Sequence, residues 1–182
     1  MCSFLDVGDV APREKFRKRR DRVRLRQFEA RDRDWLIGAH MEHYGAQDGF
    51  DASFGTFVGE IIDAFLSDND PARERGWVAE EDGDRLGSIF CVDAGGNVAK
   101  LRLFLVFEAA RGKGLGRRLL EDCIGFARER GYDFLRLWTH ESHVAACRLY
   151  EARGFSCLAS KPVQSFGQDL VEQVWEMKLT AR

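Results

Sequence analysis

The chain has 182 residues, a length typical of a single domain. Hydrophobic residues make up 45% of the sequence and only 3 residues are proline, so a sizeable core is expected and long disordered linkers are disfavoured. The formal net charge of −2 excludes a general electrostatic attraction of the whole chain to nucleic acid or to a membrane surface.

The first segment of the chain differs in character from the rest. Residues 1–21 show no hydrophobic periodicity and are predicted to form a flexible basic arm. The stretch 13–26 contains nine basic and two acidic side chains, and a charge run of this kind is usually a solvated surface. From residue 22 to 182 the pattern predicts one domain.

Hydrophobic periodicity predicts the elements of this domain. Apolar residues that alternate with charged ones indicate strands, and apolar residues at helical spacing indicate helices. The dipeptides at 82–83 and 95–96 predict tight turns between strands. The resulting order, β-α-α-β-β-β-α-β-α-β-β, predicts an α+β or mixed α/β domain. The predicted elements are a strand over 23–28, a helix over 31–44, a loop over 45–51, a helix over 54–66, strands over 77–80, 86–92 and 99–106, a helix over 115–130, a strand over 134–138, a helix over 145–150, and strands over 155–159 and 171–179.

A glycine-rich loop, Arg-Gly-Lys-Gly-Leu-Gly at residues 111–116, lies between an apolar strand and a helix. Such a loop leaves backbone N–H groups unpaired at the positive end of the helix dipole, so it predicts a phosphate or pyrophosphate site. It lacks the Ser or Thr of a Walker loop and the Gly-x-Gly-x-x-Gly spacing of a dinucleotide site. Arg111, Gly114 and Gly116 satisfy a third pattern, Arg/Gln-x-x-Gly-x-Gly/Ala.

With this third pattern the chain resembles the GNAT superfamily of N-acetyltransferases. The resemblance is carried by Leu-Phe-Leu-Val at 103–106, by the loop and helix start at 111–120, and by Leu-Tyr-Glu-Ala-Arg-Gly-Phe at 149–155. It implies a mostly antiparallel sheet of six or seven strands with splayed central strands, and about four helices. A narrower resemblance, to the acetyltransferase half of bacterial MarR–GNAT fusion proteins, is carried by segments at residues 100–103, 137–139, 165–167 and 175–179.

The resemblance implies transfer of acetyl from acetyl-CoA, the co-substrate, to an amine by direct attack. The acceptor is expected to be a small molecule or a protein. The loop backbone is expected to hold the pyrophosphate, and the preceding strand end to hold the pantetheine and the thioester. The residues implied in coenzyme binding are Leu105, Val106, Arg111, Gly112, Lys113, Gly114, Leu115, Gly116, Arg117 and His143.

Tyr150 matches the family's tyrosine near the coenzyme sulfur, and it is predicted to be the general acid. The general base stays open, because Lys100 and Arg102 stand on the strand that often carries a carboxylate in this family. Glu42 ranks first, as a catalytic or substrate contact that precedes the acceptor loop. The candidates considered are Glu42, Glu80, His140 and Glu141.

Cysteine and histidine spacing predicts no metal site. The five cysteines include no Cys-x-x-Cys pair, and the histidine pairs His40/His43 and His140/His143 are three apart rather than four. No signal peptide and no membrane-spanning run of about 18 apolar residues is recognised, so a cytoplasmic location is expected.

An alternative function is a non-catalytic, acyl-CoA-binding regulator of the same fold. Nucleic-acid binding is disfavoured and no membrane partner is expected. A homodimer formed by strand exchange or by edge pairing through the last strand is left open. The acceptor pocket is expected at residues 40–57 and 160–170, whose acidic side chains suit a cationic amine only in general terms.

Overall fold

The computed structural model describes residues 23–179, which form a seven-stranded sheet covered by helices on both faces. The predicted basic arm, residues 1–21, lies outside the described part, as do residues 22 and 180–182 of the predicted domain. The strands are β1 (Arg24–Gln27), β2 (Arg75–Glu81), β3 (Asp84–Asp93), β4 (Val98–Val106), β5 (Phe134–His140), β6 (Ser156–Ser165) and β7 (Gln168–Lys178), and the helices are α1 (Arg33–Asp48), α2 (Ala52–Asp68), α3 (Leu115–Glu129) and α4 (Val144–Glu151).

The strands lie in the order β1-β2-β3-β4-β5-β7-β6 across the sheet. All neighbouring pairs are antiparallel except β4 and β5, which run parallel. The predicted order of elements and the α+β fold are confirmed. The expectation of edge pairing through the last strand is wrong for this sheet, because β7 lies between β5 and β6 and is hydrogen-bonded on both sides.

The core is divided by the sheet into two clusters. Successive strand residues point to opposite faces, so Val78 and Ile89, which lie on adjacent strands, reach different helices. Val78 packs in the cluster that contains Ile62 of α2, and Ile89 packs in the cluster that contains Leu119 of α3. Within residues 23–179, no helix is long and apolar enough to cross a membrane.

Helix α1 is longer than its sequence predicts. It runs to Asp48, so the prediction of a loop over 45–51 is wrong for the first four of these residues. An internal glycine such as Gly45 costs a helix roughly 0.5–1 kcal/mol relative to alanine, which packing of the helix offsets. Gly49, with φ of 70°, ends the helix, and the Phe50 N–H donates to the Tyr44 carbonyl at 3.4 Å. Asp48 is therefore positioned by a helix rather than by a loop.

The parallel pair β4–β5 is hydrogen-bonded over only three residues in each strand, Val98–Lys100 with Phe134–Arg136. Beyond this ladder the strands continue to Val106 and His140 with no further register pairs to each other in the described part of the chain. The expected splay of the central strands is thus present, and it opens a wedge between the carboxyl ends of β4 and β5.

Strand β4 is bent at the wedge by a bulge. Leu103 has φ of 47°, and its carbonyl accepts a hydrogen bond of 2.7 Å from the Ser88 hydroxyl on β3. Next to the bulge, a Cβ added to Gly87 would collide with the carbonyl oxygen of Leu105. The close approach of β3 and β4 therefore requires glycine at position 87.

A buried carboxylate ties the first strand to the sheet. Asp32 is fully buried and accepts hydrogen bonds from Arg26 at 2.6 and 2.8 Å, from Arg85 at 2.9 Å and from the Glu29 N–H at 3.0 Å. Burial alone would raise the pKa of Asp32, but the hydrogen bonds from Arg26 and the Glu29 backbone outweigh it and hold the pKa below its usual value.

We expect Asp32→Asn to destabilise the protein by roughly 3–5 kcal/mol, because Arg26 and Arg85 both lose the buried carboxylate and Arg26 is left with Glu80. Urea unfolding of both proteins measures this difference. The pKa of Asp32 is lower in the folded state than in the unfolded state. The ionised carboxylate therefore stabilises the fold fully above pH ~4, and this stabilisation is lost as the pH falls through the folded-state pKa. Asp34→Asn, whose side chain is 93% exposed, is the matched control with an expected change within about 0.5 kcal/mol. Equal effects of the two substitutions would contradict the stabilising role of the buried Asp32 carboxylate.

Candidate active site

The candidate site is the wedge between β4 and β5. The glycine-rich loop 111–116 follows β4 on one side of the wedge, and the end of β5 and the start of α4 form the other side. The last turns of α1 contact both sides, as described below. The structure therefore brings together most of the residues that the sequence singled out.

The loop has the backbone geometry of an anion site. Gly112 and Gly114 have φ of 71° and 80°, which favour glycine. The N–H of Arg118 donates to the Gly114 carbonyl at 3.1 Å, as the first backbone bond of α3. The N–H groups of residues 115–117 precede that bond and have no partner within the helix. Three N–H donors at a helix N-terminus fit a pyrophosphate.

Two cationic side chains near the loop have partners inside the protein. Arg117 forms an ion pair of 2.7 Å with Glu121, one helical turn further on. The Lys113 ammonium donates to the carbonyl of Ala109. Either side chain would have to exchange its partner in order to contact a phosphate.

Arg111 links the loop to β4 and to α1. Its Nε donates to the Val106 carbonyl at 3.0 Å, and its Nη2 lies 2.8 Å from Nε2 of His43. Burial, followed by the nearby Arg111 charge, lowers the pKa of His43, so the imidazole is neutral and can accept this bond. Two predicted coenzyme contacts, Arg111 and Val106, thus bind each other in this structure.

His143 links the opposite side of the wedge to the same helix. It directly precedes α4, and its two ring nitrogens lie 3.3 Å from the Thr139 hydroxyl and 3.3 Å from a carboxylate oxygen of Asp48. Both nitrogens are therefore engaged, and the ring orientation is fixed. Through His43 and Asp48, α1 contacts both sides of the wedge.

Three of the four histidines of the chain lie around one tyrosine, Tyr44, and the fourth, His140, lies beside His143. The ring centroids of His40, His43 and His143 lie 5.9, 4.8 and 5.3 Å from that of Tyr44, and His140 lies 5.3 Å from His143. We call these five residues the histidine–tyrosine cluster. Burial lowers the pKa of His40 to about 4 and raises that of Tyr44 to about 12. Among residues 23–179, no group of three His, Cys, Asp or Glu side chains is placed to hold a metal ion.

Tyr150, the predicted general acid, lies in the last turn of α4 and is 4% exposed. Its ring packs near those of Phe104, Phe155 and Trp175, at centroid distances of 6.2, 5.8 and 6.4 Å. Burial, with a smaller contribution from Tyr44, raises the pKa of Tyr150 well above its usual value. The phenol is thus a neutral proton donor beside Phe104 of the splayed strand.

The candidates for the general base differ in their surroundings. Glu42 is exposed and has no hydrogen bond or ion pair with another residue of the described chain. Glu80 forms an ion pair of 2.6 Å with Arg26, and Glu141 is exposed. His140 is half-buried beside Phe50, and its Nδ1 is buried without a hydrogen-bond partner in residues 23–179. Of the four, His140 alone combines burial in the cluster with an unsatisfied ring nitrogen.

Some functional residues were missed by reasoning from the sequence. The spacing of each histidine pair placed its members near one another, but nothing local showed that the two pairs converge. Thr139 was not singled out, and neither was the Ser88–Leu103 bond at the bulge, because each depends on a partner from another element.

A protein-family model matches about two thirds of the chain. The model of the Acetyltransferase (GNAT) family matches residues 34–155, which include the glycine-rich loop and Tyr150. A comparison with curated protein sequences gave no match.

Several solved structures share the fold. An acetyltransferase of the GNAT family from Staphylococcus aureus Mu50 superposes with a TM-score of 0.72 at 17% identity, over 87% of this chain and 99% of that one. The Salmonella typhimurium protein yncA, solved with its cofactor acetyl-CoA, gives 0.68 at 20% identity, over 88% and 95%. The ribosomal-protein-S18-alanine N-acetyltransferase from Escherichia coli gives 0.66 at 21% identity, over 88% and 96%. At these identities the similarity establishes the fold alone.

We expect Gly114→Ala to weaken acetyl-CoA binding at least about tenfold, because alanine strains a left-handed backbone by roughly 1–2 kcal/mol and tilts the loop N–H groups. Isothermal titration calorimetry with acetyl-CoA measures the change. Gly125→Ala is the matched control, since Gly125 lies within α3 with open space at its Cβ position. Unchanged affinity in Gly114→Ala would show that the loop does not bind the coenzyme.

Proposed function

The chain belongs to the acetyltransferase (GNAT) family, whose members carry out acetyl-CoA-dependent acetyl transfer, and from that premise we propose that it acetylates a primary amine by direct attack. The observation that carries this proposal is the wedge between β4 and β5, which has an anion-binding loop on one side and a neutral histidine on the other. Acetyl-CoA, when bound, supplies an acetyl group already activated as a thioester.

The loop would bind the coenzyme through its backbone. The N–H groups of residues 115–117 are oriented for a pyrophosphate, and the left-handed Gly112 and Gly114 keep side chains out of the turn. Arg111 would leave the Val106 carbonyl and add its charge to the phosphates. That exchange would release the β4 backbone at Leu105–Val106 to hold the pantetheine and to polarise the thioester carbonyl.

Two side chains would move the protons. His140 accepts the proton that the amine loses as its nitrogen bonds to the carbonyl carbon. Burial and the nearby His143 lower the pKa of His140, so the ring is neutral near pH 7 and able to accept. Tyr150 donates its proton to the sulfur as the carbon–sulfur bond breaks. The apolar surroundings that raise the pKa of this phenol also raise that of a thiolate beside it, which favours the transfer.

His143 stays a predicted coenzyme contact, and Thr139 and Asp48 fix the orientation of its ring. Glu42 stays a predicted contact of the acceptor at the outer face of α1. A cytoplasmic location, a homodimer and the narrower resemblance to MarR–GNAT fusion proteins also stay predictions.

The activity is tested with a panel of primary amines that includes small molecules and peptides with a free amino terminus. The release of free coenzyme A is measured for each amine. We expect release that depends on the amine. Tight acetyl-CoA binding with no release for any amine would contradict the proposal and indicate the non-catalytic regulator instead.

We expect Tyr150→Phe to lower kcat by roughly 10²-fold or more while the Kd for acetyl-CoA changes little, because only proton donation is removed. Steady-state kinetics and calorimetry measure the two quantities. Tyr132→Phe is the matched control, since Tyr132 is also buried but donates its hydroxyl to the Arg73 carbonyl, away from the wedge. An unchanged kcat in Tyr150→Phe would leave Tyr150 as a packing residue.

Comparing His140→Gln with Glu42→Gln distinguishes the two candidates for the base. We expect His140→Gln to lower kcat by roughly 10²-fold or more, because glutamine cannot take a proton from the amine. Glu42→Gln is expected to change mainly KM, since an exposed carboxylate can at most contact the acceptor. The reverse pattern would assign the base to Glu42.

A further inference from the structure

Two basic side chains lie side by side on β4, on the face of the sheet opposite α3. The neighbouring residues Ala99 and Leu101 pack in the cluster that contains α3, so Lys100 and Arg102 point to the other face. Arg102 lies across from Phe90 of β3, which packs against α2. The pair is therefore at the closed end of the wedge, on the side that carries His140.

Neither of these side chains has a carboxylate partner among residues 23–179, although both are half-buried. The Lys100 ammonium stacks on the Trp138 ring, 3.9 Å from its centroid, and Arg102 makes no hydrogen bond to another described residue. Burial costs a charged group hydration, and proteins usually offset that cost with an opposite charge. Among residues 23–179, neither side chain thus has the opposite charge that would offset its lost hydration.

Two other basic side chains on this face are paired with carboxylates. Arg136 forms hydrogen bonds of 2.5 and 2.8 Å with Glu176, and Lys161 forms an ion pair of 3.3 Å with Glu172. Five basic side chains (Lys100, Arg102, Arg136, Lys161 and Lys178) and two acidic ones (Glu172 and Glu176) therefore stand on this face of β4–β7. Lys178 is exposed to solvent, whereas Lys100 and Arg102 are half-buried.

The pKa shifts of the two side chains agree with an anion site. Burial, then the charge of Arg102, lowers the pKa of Lys100 to about 8, and the influence of Glu172 is too small to reverse this. Burial also lowers the pKa of Arg102. An anion that bound between the two side chains would offset the lost hydration and keep both of them charged.

We propose that Lys100 and Arg102 form the subsite for a carboxylate carried by the acceptor, so that the acceptor is an amine that also bears an acidic group, such as an amino acid. The inference rests on the proposed acetyl transfer. Arg102 lies four residues before Val106, at most about 13 Å along an extended strand, and its long side chain spans part of that distance. A small acceptor can therefore place its carboxylate at Arg102 and its amine near the thioester. The arginine fork binds a carboxylate with two hydrogen bonds, and the lysine adds a point charge.

Matched acceptors test the subsite. The kcat/KM values of L-phenylalanine and L-methionine are compared with those of 2-phenylethylamine and 3-(methylthio)propylamine, which lack only the carboxylate. In the wild type we expect the carboxylate to raise kcat/KM by roughly 10- to 100-fold. In Arg102→Met and Lys100→Met we expect that preference to be lost, mainly through KM. Equal values for both members of each pair in the wild type would overturn the inference.

Arg128→Met is the control for the loss of one positive charge, because Arg128 is exposed on α3, far from this face. We expect the preference to survive there, and its loss would assign the effect to net charge. Arg102→Lys keeps the positive charge, and we expect it to retain part of the preference for carboxylate-bearing acceptors. This variant keeps the test valid if Arg102→Met folds poorly.

A binding measurement separates the subsite from the chemistry. Calorimetry with N-acetyl-L-phenylalanine and N-acetyl-2-phenylethylamine, two product-like probes, needs no turnover. We expect only the carboxylate-bearing probe to bind the wild type, and Arg102→Met to bind neither. If no amine is acetylated but this difference is observed, the proposed function fails and the subsite stands. If amines are acetylated but the probes bind equally, the subsite fails and the function stands.

Discussion

The short hydrogen-bonded ladder between β4 and β5 is the constraint on which the site depends. A parallel pair that continued to the strand ends would satisfy the backbone groups of both strands and leave no gap. Here the ladder stops after three residues, and β4 carries a bulge at Leu103, whose carbonyl accepts a hydrogen bond from the Ser88 hydroxyl. Unpaired backbone groups then line a wedge inside the sheet. A thioester needs such groups, because its carbonyl gains negative charge during the reaction.

Helix α1 completes this wedge because its last turns contact both sides. His43 accepts a hydrogen bond from Arg111 of the glycine-rich loop, and Asp48 contacts His143 beyond β5. Two strands that have separated are thus connected again through side chains rather than through the backbone. Side-chain contacts can exchange when a ligand enters, whereas a completed strand ladder cannot, so this arrangement suits a site that must open for its substrates.

Buried charged side chains have two contrasting environments in this protein. The buried carboxylate of Asp32 receives hydrogen bonds from two arginines and from a backbone N–H, so its charge is satisfied inside the protein. Lys100 and Arg102 are half-buried without a carboxylate in the described chain. The first arrangement stabilises the fold around β1. In the second arrangement, no opposite charge offsets the hydration that the two cations lose on burial. Such uncompensated groups are concentrated at functional sites, where a ligand can supply the missing charge.

The sequence alone determined the order of the elements, the four helices and the position of the glycine-rich loop, because periodicity and glycine spacing are local properties. It did not determine where α1 ends, since Gly45 is a weak helix former that packing retains, nor that the last strand is internal. Tertiary structure alone brought three histidines to Tyr44 and placed His140 beside His143. It also left Arg102 without a carboxylate partner among residues 23–179. The burial and the charge partners of a side chain depend on elements that are distant in the chain. A local sequence pattern therefore cannot predict them.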